Sequence, residues 1–290
     1  MNWSWEHTLE SKTLVPLNVR VLRATVRASA PRPGASQRAA KDFDQDLWLA
    51  VRAEIGWAFT PPRTWLLGAV ANLLLAVGWL AVQPLTPHGR HQDWVVLVGT
   101  YFSSFVLADV TTTNLLGADH YRVVKTLADG VPLWRVLFVK NMALIVLVGL
   151  PTLAAATALT LWLESPARLA VTIPNVAVPI VSWLGVGNVV AVLLPVSAEP
   201  LIRRWRQRHD FRRTAGWLLA LMLPYALYYV ADPMDGMGHR LLWSQLPASI
   251  GPVLGRDTKS FVHLAVALVV WVVGTAAAEL WVRKRGLHIR

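Results

Sequence analysis

Asp109 is the one acidic side chain well inside a long apolar run of this sequence, and Thr112 and Thr113 share its helical face with Phe102 and Phe105. A charge inside a membrane span is costly to place, which makes Asp109 a functional candidate by default. A cap or an ion pair near one end of the span is the structural alternative, and both stay open. Glu279 reads differently, because Arg283 stands four residues on, the order that favours an ion pair at a helix end. Asn72 lies on a small-residue face with Gly68 and Ala76, and Asn188 lies beside Gly185 and Gly187. Such faces suit close helix packing and can also line a path through a membrane. His88 and His91 stand beside Asp93, but a structural metal site usually wants four ligands, and a solvated polar loop accounts for them.

Motifs for harder chemistry are missing from the sequence. It has no G-x-x-x-x-G-K-[ST] phosphate loop, no G-x-S-x-G nucleophile turn and no H-E-x-x-H pair, so no catalytic, cofactor-binding or metal-binding residue is assigned and intramembrane hydrolysis is disfavoured. If ATP drives this protein, another chain binds it.

The elements that must position these groups are apolar helices. The chain is 54% hydrophobic and 16% charged over 290 residues, with 15 Trp and no Cys, which excludes disulfides and thiolate metal sites. A span needs about 20 largely apolar residues. Runs at 65–82, 94–116, 141–163, 169–196 and 261–282 approach or pass that length, and a shorter run at 215–231, with Pro224 inside, gives a sixth. Pro174 and Pro179 predict a broken or re-entrant start to the span at 169–196. Residues 1–45 form an N-terminal extension without a signal-peptide block, expected to be retained on the cytosolic side, and the Pro-, Gly- and Ser-containing stretch over 29–46 reads as a flexible linker. Asp46 then suits an N-cap for a surface helix over 47–59, where Trp48, Val51, Ile55 and Phe59 recur opposite Arg52 and Glu54. Residues 46–290 form the six-span domain.

Residues 119–140 carry a basic, helix-competent segment between two spans. Asp119, Arg122, Lys125 and Asp129 fall at helical intervals against an apolar stripe of Val123, Val124, Leu127 and Ala128, and Gly130 and Pro132 end the helix. The formal charge of +11 suggests nucleic acid in a soluble protein, but its distribution points elsewhere. Of the 28 Lys and Arg residues, 23 fall in the N-terminal region, the 117–140 and 197–214 loops and the C-terminal tail. That asymmetry places both termini and those loops in the cytosol, removes the need for nucleic acid, and makes anionic lipid headgroups the partner of the arginines over 203–213.

With these elements placed, residues 46–285 resemble a type-2 ABC exporter permease, the integral membrane subunit of an ABC transporter. The specific parts are the order Leu127, Ala128, Asp129, Gly130, Val131, Pro132 followed by Val139 and Lys140, and Gly187 and Asn188 with Leu194 and Pro195. The resemblance implies an all-α, multi-pass protein of a bacterial plasma membrane that couples ATP hydrolysis on a separate chain to export. Residues 119–129 would be the coupling helix docking on that ATPase, with Asp119, Tyr121, Arg122, Val124, Lys125 and Asp129 at the contact. Trp48, Arg52 and Ile55 would belong to the elbow helix, Asn72, Asp109 and Asn188 to the translocation path, and residues 241–254 to an external helical segment. ATP and Mg would sit on the partner, and a second permease half, identical or not, would complete the transporter. The competing reading is a membrane anchor or regulatory protein that recruits a cytosolic partner without moving substrate.

The charge asymmetry makes the topology testable. A cysteine replacing His91 is expected to react with an impermeant thiol reagent added outside intact cells, and one replacing Arg206 is expected to react only after permeabilisation. The reverse pattern would overturn the orientation.

Overall fold

The computed structural model describes residues 36–60, 115–117, 119–195, 211–234, 236–238 and 256–287, together with single positions at 63, 66, 70, 74 and 240. Among these, every regular element is a helix. In chain order they are α1 (Ser36–Ala58), α2 (His120–Ala128), α3 (Leu133–Leu144), a π-helical turn (Ile145–Gly149), α4 (Leu150–Leu163), a 3-10 turn (Pro166–Arg168), α5 (Leu169–Leu193), α6 (Phe211–Ala231) and α7 (Arg256–Arg285). Three stretches, Leu133–Trp162, Pro166–Leu193 and Thr258–Arg285, are long and apolar enough to cross a membrane, which suggests membrane association. The runs at 65–82 and 94–116 lie outside the described residues apart from isolated positions. Asn72, Asp109, the His88 and His91 loop, the arginines over 203–210 and the segment at 241–254 lie outside them too.

Helix α5 is the centre of the bundle, packed against α4, α6 and most extensively α7. Its side chains are buried along most of their length, whereas α7 keeps Leu268, Val269, Val272, Val273 and Leu280 exposed. An apolar face of that kind has no cost where hydrocarbon replaces water. The α5–α7 contact is drawn tight by two glycines. A Cβ placed on Gly185 would stand 2.7 Å from the Val270 carbonyl oxygen and 2.8 Å from Trp271 Cα, and one on Gly274 would collide with the Gly185 backbone. Beside them Asn188 Nδ2 donates to Thr275 Oγ1 at 2.8 Å, and Thr275 Oγ1 donates on to the Trp271 carbonyl at 2.8 Å.

Two expectations of the sequence are corrected. Helix α5 runs unbroken through Pro174 and Pro179, preceded by the 3-10 turn rather than a re-entrant loop. In an apolar environment a lost amide donor costs less than unwinding the turns around it. Helix α1 begins at Ser36, so part of the expected linker is helical and Asp46 is an interior residue, not the N-cap. The helix that leads into the third expected span is continuous from Leu133 into the π turn. Pro151 opens α4 directly after that wider turn. Because proline cannot supply the regular amide bond, the extra residue there absorbs the mismatch. Ala215 to Ala231 is helical as expected, within α6 and with Pro224 inside.

Tight packing at Gly185 overrides its helix propensity, and the two effects have opposite signs. Gly185→Ala is expected to lower the thermal midpoint of the detergent-solubilised protein, with overpacking costing about 1–3 kcal/mol. Gly56→Ala, at an exposed helical position with nothing within 4 Å of the new Cβ, is expected to hold or raise it by up to about 1 kcal/mol.

Candidate functional site

Lys140 is the residue around which the site is built. Its ammonium group lies inside the protein on α3, only 3% exposed, where an unpaired charge could not be kept. Two carboxylates meet it. Glu54 Oε1 on α1 accepts from Lys140 Nζ at 2.7 Å, and Asp119 Oδ1, at the entry to α2, accepts from the same nitrogen at 2.8 Å. Arg122 on the first turn of α2 completes the cluster, its NH2 group donating to Glu54 Oε2 at 2.7 Å and its NH1 group standing 3.6 Å from Asp119 Oδ2. Two acids and two bases balance. Trp57, one turn after Glu54, offers its ring to both cations, at 5.2 Å from the Arg122 guanidinium carbon and 5.4 Å from Lys140 Nζ.

Local structure explains how each member is aimed. Asp119 is the N-cap residue of α2, and its carbonyl accepts from the Arg122 and Val123 amides, yet its side chain makes no capping bond. The carboxylate is given to Lys140 instead. Burial pushes its carboxyl above the usual carboxylate range, with the Glu54 charge adding to that, against the opposing pull of Lys140 and Arg122. Helix α2 ends in a paired Schellman turn, the Val131 amide on the Thr126 carbonyl and the Gly130 amide on Leu127, with Gly130 at φ 87°. Pro132 then caps α3. Because a proline has no side-chain acceptor, the first turn of α3 takes one from far along the chain: the Trp134 amide donates to Glu279 Oε2 at 2.9 Å. Glu279 Oε1 also accepts from Arg283 at 2.8 Å, the pair expected from their spacing. The apolar stripe of α2 completes the seat, with Val123 buried and Leu127 half-buried in a core shared with Ala58, Leu137, Leu184, Ala278 and Val282.

The residues assigned to the coupling helix are thus divided by the structure. Asp119 is buried in the cluster, and Arg122 is 44% exposed and pairs with Glu54. Tyr121 is 68% exposed and stacks at a tilt on His120, with ring centroids 4.6 Å apart. Lys125 and Asp129 are exposed and Val124 is half-buried. On α1 the inward face consists of Val51, Glu54 and Ala58 with Ile55, while Trp48 and Arg52 point outward, Trp48 72% exposed. Glu54 therefore belongs to the buried face and not to the polar face opposite, which corrects the reading from sequence. Asn188 is fully buried between α5 and α7. Of the candidate path residues only Asn188 is among the described residues, Asn72 and Asp109 lying outside them.

Sequence reasoning missed Glu54 and Lys140 as partners. A signal existed in each: Glu54 sits three residues after Val51 and four before Ala58, and Lys140 stands in a helix otherwise too apolar to hold an unpaired charge. Among the described residues no group of three or more His, Asp or Glu side chains could hold a metal ion. What fold and site define is an all-helical protein whose apolar helices carry a short amphipathic helix fixed at its base by a buried ion cluster. No family model, curated protein or solved structure matches the chain.

Removing the shared cation leaves two carboxylates buried without it. Lys140→Ala is expected to destabilise the protein by about 3–5 kcal/mol, against less than about 0.5 kcal/mol for the exposed Lys125→Ala. Denaturation midpoints of the two variants in detergent check this.

Proposed function

We propose that this protein is the membrane permease subunit of an ATP-driven ABC exporter, with six spans, and that α2 is the coupling helix on which a separate ATPase docks. One observation supports this more than any other: α2 is fixed at its base to α1 and α3 through Glu54, Asp119, Arg122 and Lys140, while Tyr121 and Lys125 remain exposed. Force applied by a motor reaches apolar spans only through an element that is gripped from outside and rigidly joined within. Helix α2 is joined at its base through the ion cluster and leaves Tyr121 and Lys125 exposed for a motor to grip. Its charged base prevents it from sliding, and its apolar stripe seats it on helices that also contact α5 and α7. Helix α1 would serve as the elbow helix lying along the membrane surface. ATP and Mg would be held by the partner, and a second permease half would face this one. Cytosolic termini and a bacterial plasma membrane location follow from the charge distribution and the resemblance together.

Recovery of the detergent-solubilised chain with its bound proteins, identified by mass spectrometry, is expected to yield an ATP-binding subunit. Retention of that subunit on the immobilised permease is then the quantitative test. Tyr121→Ala is expected to weaken it by about 2 kcal/mol or more, as truncation of a desolvated aromatic anchor does. Lys125→Ala is expected to weaken it slightly, and less at high salt. Wild-type retention by Tyr121→Ala would remove α2 as the docking element, and recovery of a non-ATPase partner alone would favour the recruiting anchor.

A further inference from the structure

The four charges of the cluster are not equivalent. Glu54, Asp119 and Lys140 are sealed in, with side chains no more than 5% exposed, whereas Arg122 is 44% exposed. Three of the four carboxylate oxygens have a donor: Glu54 Oε1 and Asp119 Oδ1 share Lys140 Nζ, and Glu54 Oε2 has Arg122. Asp119 Oδ2 is buried and accepts no hydrogen bond, the Arg122 NH1 group at 3.6 Å lying beyond bonding distance. Two carboxylates that hold one ammonium are close neighbours, and without a second cation such a pair is most stable with one proton between them. Arg122 supplies that second cation, from the rim.

We propose that Asp119 is a proton-binding site whose occupancy is set by Arg122: with the guanidinium in place the cluster is balanced by two cations, and when Arg122 is drawn outward Asp119 takes up a proton from solution in its stead. The new bond is the O–H on the Asp119 carboxyl, formed with a proton from solution at the oxygen that has no donor. What draws Arg122 away is a carboxylate on a docking partner, since Arg122 lies on the helix that also exposes Tyr121 and Lys125; this part rests on the docking role proposed for α2. Engagement of the helix and proton uptake at its base are then linked, and each strengthens the other.

The sign of the linkage follows from the surroundings. Burial, then Glu54, hold the Asp119 carboxyl above the usual range, and Lys140 and Arg122 oppose them. The folded chain therefore binds this proton more tightly than the unfolded chain, so the stability it contributes is present at low pH and is lost as pH rises through the raised value. Removing Arg122 removes an opposing charge and moves that loss to higher pH. Among the described residues, the charged groups facing Asp119 are Glu54 from α1, Arg122 from α2 and Lys140 from α3. His120 is the neighbour of Asp119 in the chain.

The test needs no partner and uses the full chain in detergent. Thermal midpoints are measured between about pH 5.5 and about pH 8 for the wild type, R122Q, D119N and R122Q/D119N, and for R122Q in an H120Q background. R122Q is expected to gain about 2 °C or more on acidification beyond the gain of the wild type. The gain is expected to vanish in R122Q/D119N and to persist with H120Q. A pH response of R122Q parallel to the wild type overturns the proton site, as does a gain that survives D119N or disappears with H120Q. If R122Q does not fold at neutral pH, R122Q/D119N is expected to fold there, and failure of both overturns the proposal. Loss of ATPase retention by Tyr121→Ala bears on docking alone, so the two readings fail separately.

Discussion

A lysine ammonium sealed among apolar helices imposes the constraint on which this structure depends. Taking such a charge out of water costs several kcal/mol, and only close counter-charges make the folded arrangement tolerable. Lys140 therefore dictates that Glu54, 86 residues earlier, and Asp119, 21 residues earlier, arrive at the same point. The consequence is geometric before it is energetic. An ion pair of this kind adds little net stability over a well-packed apolar substitute, but it tolerates only one register. Helix α1 cannot slide along α3 without withdrawing Glu54, and α2 cannot tilt without withdrawing Asp119.

This fixation contrasts with the other contacts of the bundle. Helices α5 and α7 meet through glycines, Gly185 and Gly274, whose backbones touch. Such a seam depends on shape and dispersion, which are short-ranged and fail when a single methyl intrudes. The charged corner depends on longer-ranged forces concentrated in four side chains. The protein thus has a closely packed apolar body and an electrostatically pinned edge, and the pinned edge is where α2 presents Tyr121.

Run length and breakers made the all-helical character and the long apolar helices legible in the sequence, because a stretch such as 261–282 can satisfy its backbone in apolar surroundings only as a helix. The end of α2 was equally legible: Gly130 and Pro132 have few other uses in that order. The faces of α1 were not. Trp48 and Phe59 are apolar and in step with Val51 and Ile55, yet both point outward. Apolar periodicity marks the side of a helix that avoids water, and lipid meets that requirement as well as protein does, so the pattern does not separate inside from outside in such a helix. Glu54 was assigned outward by the same logic. Its burial follows from a partner distant in sequence, which local spacing does not contain.

The cap that Glu279 places on Trp134 has a consequence for the order of assembly. Glu54 and Asp119 precede Lys140 in the chain, so during synthesis the lysine emerges to find its acids already made. The Trp134 amide emerges long before Glu279 exists. Until the last helix is synthesised and docked, the start of α3 lacks that acceptor, and the corner beneath α2 stays incomplete. Helix α7 thus completes this corner of the fold, and a chain truncated before it would present the α2–α3 corner unfinished to quality-control proteases.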